Sequence, residues 1–224
     1  PNMSAGSPRR DCRFTGLRHI CGRSGRVTDF HFEKIADKCA GFGVVLDREK
    51  TEKLNTYGNL LLEWNEKMNL TAIKEPEEVL YKHFYDCILF LKNVKLPENA
   101  SLIDVGTGAG FPGMVLKIVR PDICVTLLDS LNKRLVFLNE VIRLTGMENV
   151  VTLHMRAEDA GKNPLYREKY DAACARAVAS LPVLLEYCMP FVKKNGVFAA
   201  MKGPSAADEA AASVNALKVL GGGK

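Results

Sequence analysis

The most chemically suggestive stretch of the chain is Asp104-Val105-Gly106-Thr107-Gly108-Ala109-Gly110-Phe111-Pro112-Gly113. Closely spaced glycines let a backbone turn sharply and approach a ligand with no Cβ in the way. The residues that follow read as a helix, and the free N–H groups at a helix start favour an anionic or carboxylate group. Asp129 closes the next apolar run, twenty-three residues after Gly106. A carboxylate there can accept two hydrogen bonds from ribose hydroxyls. Gly106, Gly108 and Asp129 are therefore the first candidates for holding a nucleoside-bearing cofactor.

Two cofactors fit this spacing. Gly108, Gly110 and Gly113 satisfy the GxGxxG of nicotinamide dinucleotide sites. Asp104 followed by Gly106, Gly108 and Gly110 satisfies the acidic-then-GxGxG pattern of α/β methyltransferases that use S-adenosylmethionine. The glycines alone do not decide. Asp104 tips the balance, because a carboxylate beside the loop repels a pyrophosphate and attracts a methionine ammonium group. Ala157-Glu158-Asp159, after the third strand-like run, points the same way, since adenine is held there in methyltransferases. Other chemistries lack their residues. His31 and His154 show no metal-ligand spacing, no CxxC occurs, and neither a nucleophile elbow nor a paired-carboxylate pattern is present. No metal is expected.

These residues need a scaffold, and the apolar pattern supplies one. Ser101–Val105, Ile123–Leu128, Val150–His154, Tyr170–Ala175 and Val197–Met201 read as five strands. Helical stretches separate them: Pro112 to Val119, a stripe of Leu135, Leu138 and Ile142 ending at Gly146, and Ser180 to Met189. Strands alternating with helices predict a parallel, Rossmann-like α/β sheet covered on both faces, with ligands at the carboxyl ends of the strands. Those ends carry Asp104 to Gly113, Asp129, Arg156 to Asp159, Arg176 and Lys202. Before the sheet, Leu54, Tyr57, Leu61, Trp64 and Met68 step by three and four, and Pro76 opens a second helix striped by Leu80, Phe84, Cys87, Ile88 and Leu91. The chain divides into residues 1–29, a disordered basic tail or appended extension; 30–99, an N-terminal helical layer; and 100–224, the sheet.

Composition sets bounds. The formal net charge is +5, but residues 1–30 hold six Arg against two Asp, so charge says little about what the folded body binds. Seven cysteines, an odd number and mostly in apolar runs, read as buried reduced thiols of a cytoplasmic protein. No run of about 18 apolar residues appears, so no membrane span is expected.

The run Trp64-Asn65-Glu66-Lys67-Met68-Asn69-Leu70-Thr71-Ala72-Ile73 resembles the WN-x-x-x-NLTAI signature of the RsmG (GidB) family. His83 and Asp86 lie in a similar H-x-x-D helix. The loop from Asp104 to Gly113, Leu127-Leu128-Asp129-Ser130, Lys133-Arg134, Arg176-Ala177 and Lys202-Gly203 match in order. The resemblance implies a class I methyltransferase fold and methyl transfer from S-adenosylmethionine to N7 of guanine 527 in 16S rRNA. It implies the small ribosomal subunit as partner, and a monomer is expected. It also implies cofactor contacts at Gly106, Phe111, Ala157, Glu158 and Arg176. Arg176 and Lys202 are the matched basic residues expected to act on the RNA or the target guanine.

Two departures stand out. Residues 1–29 have no counterpart, and the family continues into two final strands of which only Leu217–Leu220 could be the beginning. A truncated C-terminal hairpin is therefore expected. Several residues also carry plainer readings. Arg176 pairs with Asp171 or Glu158, Lys202 is a solvated strand end, Trp64 is a core anchor, and His83 is structural and bonded to Asp86. Two other functions stay open: a nicotinamide-dependent oxidoreductase, and a non-catalytic RNA- or ribosome-binding protein.

Overall fold

Helical periodicity organises the first third of the chain. In the computed structural model, which describes residues 27–223, α1 (Glu33–Ala40) precedes α2 (Arg48–Met68). Of the tail expected over residues 1–29, only 27–29 fall within the described residues. There the Thr28 N–H donates to Asn59 Oδ1 at 2.8 Å and Asn59 Nδ2 donates back to the Thr28 carbonyl at 2.8 Å. Helix α1 escaped the sequence reading because its buried face, Ile35 and Cys39, spans too few turns to show a period. The start of α2 is set by Asp47, whose side chain accepts from the Lys50 N–H at 2.9 Å. Its end is set by Asn69 in the left-handed conformation.

Pro76 occupies the first turn of α3 (Pro76–Val79), which runs into a π-helical turn, Leu80–Tyr85, and then α4 (Asp86–Asn93). Turns of this type are rare and concentrate at functional sites.

The sheet is parallel and five-stranded: β1 (Ser101–Val105), β2 (Cys124–Asp129), β3 (Val150–His154), β4 (Tyr170–Arg176) and β5 (Val192–Met201), in the order β3-β2-β1-β4-β5. Strand order reverses between β1 and β4, which places the ligand crevice at their carboxyl ends. The connecting helices are α5 (Gly113–Val119), α6 (Asn132–Thr145), α7 (Ala157–Lys162) and α8 (Leu181–Cys188). The C-terminal helices are α9 (Ala206–Ala212) and α10 (Val214–Val219).

Alternation along the strands divides the core in two. Leu102, Val125, Leu127, Ala172 and Cys174 face α2, α4, α5 and α6; Ile103, Val105, Leu128, Ala173 and Ala175 face α8 and Phe191. The rings of Phe30, Phe32, Phe84 and Tyr57 meet edge-on or tilted on the first side, with centroids 5.2–6.2 Å apart. Trp64 is an anchor there, packed on Phe137. Of the described cysteines, four are buried and Cys124 is exposed. Among the described residues no helix is long and apolar enough to cross a membrane.

Three differences from the sequence reading have simple causes. Strand β5 starts at Val192 rather than Val197; the polar stretch Lys193–Gly196 hid its first half, and the pairing with β4 shifts register between Tyr170 and Ala172. The residues after β3, read as loop, form the short helix α7. Leu217–Leu220, expected to begin a strand, lies in and just after α10, following an alanine-rich helix that favours continued helical structure.

Helix α2 contains Gly58, and a Cβ there would lie 2.4 Å from the buried Phe30 ring. Alanine adds about 1 kcal/mol of helix propensity, while overpacking a core costs about 1–3 kcal/mol. Gly58→Ala is therefore expected to lower stability on balance, by about 1 kcal/mol and a few degrees of Tm. Urea and thermal unfolding measure it, and an equal or raised Tm contradicts the packing account.

Candidate active site at the carboxyl crest of the sheet

The glycine loop leaves β1 through residues that only glycine accommodates. Gly106 has φ +69°, and a Cβ on it would approach Val178 Cγ2 to 2.7 Å. Gly110 has φ +100°, and a Cβ there would sit 2.7 Å from the Tyr57 hydroxyl oxygen. That hydroxyl, fully buried on α2, donates to the Ala109 carbonyl. The helical layer thus grips the loop from behind.

Asp104 grips it from below. Its Oδ2 accepts from the Thr107 hydroxyl at 2.7 Å and from the Gly113 N–H at 2.9 Å. The carboxylate is fully buried and Oδ1 has no hydrogen-bond partner among the described residues. The thiol of Cys174, a weak donor, lies near this carboxyl. Burial pushes the Asp104 pKa from 3.8 up to about 6, against the pull of the Thr107 and Gly113 hydrogen bonds and the Arg176 charge. The sequence reading aimed this carboxylate at a ligand; the structure turns it into the sheet, where it fastens both ends of the loop.

On the open side of the loop lies a cleft of about 390 Å³, lined by Gly106, Asp129, Ala157 and Glu158 together with Met155, Val178 and Tyr187. Four of the predicted cofactor residues meet here. Asp129 is 2% exposed; its Oδ2 accepts from the Gly108 N–H at 2.9 Å and from Arg134 Nη1 at 3.2 Å, and its Oδ1 from the Leu131 N–H at 2.8 Å. A carboxylate has about four acceptor positions, so one remains for a ribose hydroxyl rather than the two expected. Gly108 serves the cleft through Asp129. Arg134, matched in the sequence without an assigned role, is the counter-charge that holds Asp129 in place.

Phe111 and Arg176 are placed differently from expectation. The Phe111 ring is 5% exposed and stacks between Tyr57 and His83, with centroids 5.3 and 4.4 Å away, so it packs into the core instead of against a ligand in the cleft. Arg176 is not among the residues that line the cleft, although the next residues, Ala177 and Val178, are. Its guanidinium sits 4.9 Å from the Phe111 ring centre. Nη1 donates to the Lys82 carbonyl at 3.1 Å and contacts Asp86 Oδ2 at 3.4 Å, and Nη2 donates to His83 Nδ1 at 3.0 Å. Its acidic partner is Asp86, not Asp171 or Glu158; Asp171 pairs with Lys193. His83 bonds to Thr71 and Arg176, not to Asp86. Burial, reinforced by the Arg176 charge, lowers the His83 pKa from 6.5 to about 4.

Lys202, expected with Arg176 at the carboxyl edge of the sheet, faces the other side of it. Its ammonium donates to the Ala179 carbonyl at 2.8 Å and pairs with Glu209 at 2.8 Å, and that same carboxylate accepts from the Leu181 N–H at the start of α8. Register explains the divergence: Arg176 pairs with Met201, so Lys202 lies one residue further and points oppositely. It is neither a solvated strand end nor a neighbour of Arg176. Among the described residues no group of three or more His, Cys, Asp or Glu is arranged to hold a metal ion.

Comparisons bear on this arrangement. Residues 50–223 match the family model described as rRNA small subunit methyltransferase G. The chain is 55% identical over 188 residues to the ribosomal RNA small subunit methyltransferase G of Acetivibrio thermocellus, covering 84% of this chain and 77% of that relative. It is 53% identical over 188 residues to the protein of the same name from Alkaliphilus metalliredigens, covering 84% and 79%. Among solved structures, a SAM-dependent methyltransferase from Aquifex aeolicus aligns with TM-score 0.50 at 22% identity, covering 68% of this chain and 86% of that one. A SAM-dependent O-methyltransferase from Thermotoga maritima aligns with TM-score 0.50 at 17% identity, covering 71% and 55%. The fold is the Rossmann-like class I methyltransferase fold.

The two perturbed groups behind the loop titrate with opposite effects on stability. Asp104, with a raised folded pKa, contributes stability that is present below pH 3.8 and lost as pH rises through about 6. His83, with a depressed folded pKa, lowers stability as pH falls from 6.5 through about 4. Removing the first with Asp104→Asn should leave a steeper rise of stability with pH. Relative to the variant, the wild type should lose about 2 kcal/mol between pH 4 and pH 7. Urea unfolding of both proteins across that range measures the difference; a constant difference contradicts the buried-carboxyl account.

Proposed function

Because the chain belongs to the rRNA small subunit methyltransferase G family, we propose that it methylates ribosomal RNA of the small subunit with S-adenosylmethionine, at N7 of a guanine, position 527 of 16S rRNA. The observation that carries the cofactor reading is the convergence of Gly106, Asp129, Ala157 and Glu158 on one cleft at the switch point of the sheet. The cleft volume lies within the range of small-molecule sites. The cofactor also fits its chemistry. At Gly106 the backbone lines the cleft with no Cβ, and Asp129 keeps one acceptor position for a ribose hydroxyl. Gly106 and Val178 would flank the bound molecule, Asp129 its sugar, and Ala157 and Glu158 its base.

S-adenosylmethionine, when bound, supplies an electrophilic methyl group. Guanine N7 already carries a lone pair at neutral pH, so no side chain need remove a proton. The chain's work is to align the base, and orientation of this kind supplies about 7–11 kcal/mol in favourable cases. Arg176 is the residue for that work. It stands at the end of β4 beside the cleft lining, and its side chain is 17% exposed. Its Nε–H and one Nη2–H have no partner among the described residues, which leaves a planar pair of donors for guanine O6 or a phosphate. Methyl transfer also carries positive charge onto the base, and Asp86 beside Arg176 offsets the guanidinium charge there.

Arg176→Ala should reduce methyl transfer to purified small subunits by about 100-fold or more, with S-adenosylhomocysteine affinity changed little, since the side chain lies outside the cleft. Mapping 7-methylguanine in 16S rRNA from cells with the gene, without it, and carrying Arg176→Ala gives the matching result in vivo. Methylation at N7 that persists without the gene would sink the proposed target. Thermal stabilisation by NAD but not by S-adenosylhomocysteine would favour the oxidoreductase reading instead.

A further inference from the structure

Arg176 is held by a chain of contacts that begins far from it in sequence. Asn65, 5% exposed on α2, accepts from the Thr71 N–H at 2.8 Å and donates to the Thr71 carbonyl at 2.9 Å, fixing Thr71 at both backbone groups. The Thr71 hydroxyl oxygen lies 2.8 Å from His83 Nε2. His83 Nδ1 lies 3.0 Å from Arg176 Nη2. An arginine can only donate, so Nδ1 is the acceptor and the imidazole carries its proton on Nε2, pointing at Thr71. The ring stacks on Phe111, and the guanidinium lies over the same Phe111. The π-helical turn that carries His83 also offers the Lys82 carbonyl to Nη1.

We propose that His83 is a positioning residue for the target-binding arginine: as a neutral imidazole with its tautomer set by Thr71, it fixes the plane of the Arg176 guanidinium so that the Nε–H and the second Nη2–H face the substrate. This rests on the reading of Arg176 given above. It assigns a task to the Asn65–Thr71 segment and to the rare turn that follows, neither of which touches the cleft. Freed of the Nδ1 acceptor, the guanidinium would turn about its long side chain toward Asp86 and solvent, and a misplacement of about 1 Å at such a site costs on the order of 100-fold in rate.

The test compares His83→Leu, His83→Asn, Thr71→Val, Arg176→Ala and the double variant His83→Leu/Arg176→Ala. The measurements are methyl transfer to small subunits, S-adenosylhomocysteine affinity by calorimetry, Tm, and ¹⁵N NMR of the imidazole. His83→Leu should lower kcat roughly 10- to 100-fold with cofactor-product affinity unchanged. His83→Asn, which restores an acceptor near Nδ1, should recover much of the loss. The double variant should be no worse than Arg176→Ala alone, because positioning has nothing left to act on. The wild-type spectrum should show the Nε2–H tautomer from pH 6 to 8, and Thr71→Val should broaden or mix it. A merely structural histidine would instead resist rescue by asparagine and add its loss to that of Arg176→Ala; either result overturns the proposal. Should His83→Leu not fold, Thr71→Val carries the kinetic test, and a wild-type rate with an unchanged tautomer overturns it. Normal turnover by Arg176→Ala would overturn the functional reading itself, which is a different failure from an inactive Arg176→Ala beside a fully active His83→Leu.

Discussion

A fully buried carboxylate at the end of β1 is the constraint on which the crest of the sheet depends. Asp104 ties Thr107 and Gly113 to one oxygen, closing the loop into a fixed arc. An ionised carboxyl in that position is costly, and its raised pKa records the cost. The arrangement persists because the loop must hold several left-handed residues at once, Gly106, Gly108 and Gly110, and loops in such conformations need anchoring from outside. Asp104 supplies the anchor from the sheet and Tyr57 supplies it from the helical layer. The cleft wall is thereby held by hydrogen bonds from both layers, the kind of preorganisation that lowers the entropic penalty of binding.

The same closure explains why the N-terminal helices pack on this face of the sheet. Phe111 points down from the loop and is sandwiched by Tyr57 and His83. Its ring is the floor on which Arg176 lies. One aromatic side chain therefore joins three parts: the loop, the helical layer and the end of β4. The helical layer is part of the site's framework, and a change in α2 or the π-helical turn reaches the crest through these rings.

Much of the fold was legible in the sequence because parallel strands buried on both faces read as short apolar runs bounded by turn residues. Ser101–Val105 and Val150–His154 were bounded to the residue. Helix α1 and helix α7 were not legible, since two turns of helix give too few repeats to show a period. The candidate site was legible as a set of strand ends, and Gly106, Asp129, Ala157 and Glu158 do converge. What a single sequence does not carry is direction. Phe111 and Arg176 belong to matched motifs, yet which way each side chain points depends on register and on the faces left open by packing. The acceptor count at Asp129 was invisible for a similar reason: Arg134 and the Leu131 N–H claim positions that only the folded turn brings near.

Arg176 and Lys202 show how strict this dependence is. Both end neighbouring strands and both are basic, so a reading by strand ends groups them. Cross-strand register sets Arg176 opposite Met201, and the two-residue period of a strand then sends Lys202 to the opposite face. There it joins β5 to the start of α8 through Ala179 and Glu209. Arg176, on the side of the helical layer, finds an imidazole, a carbonyl and a carboxylate, each taking part of its hydrogen-bonding capacity. A guanidinium so held is oriented but not exhausted, and a neutral histidine is the right partner for it. A charged imidazole could not accept the hydrogen bond. The same burial and nearby positive charge that depress the His83 pKa keep it in the accepting state throughout the neutral range.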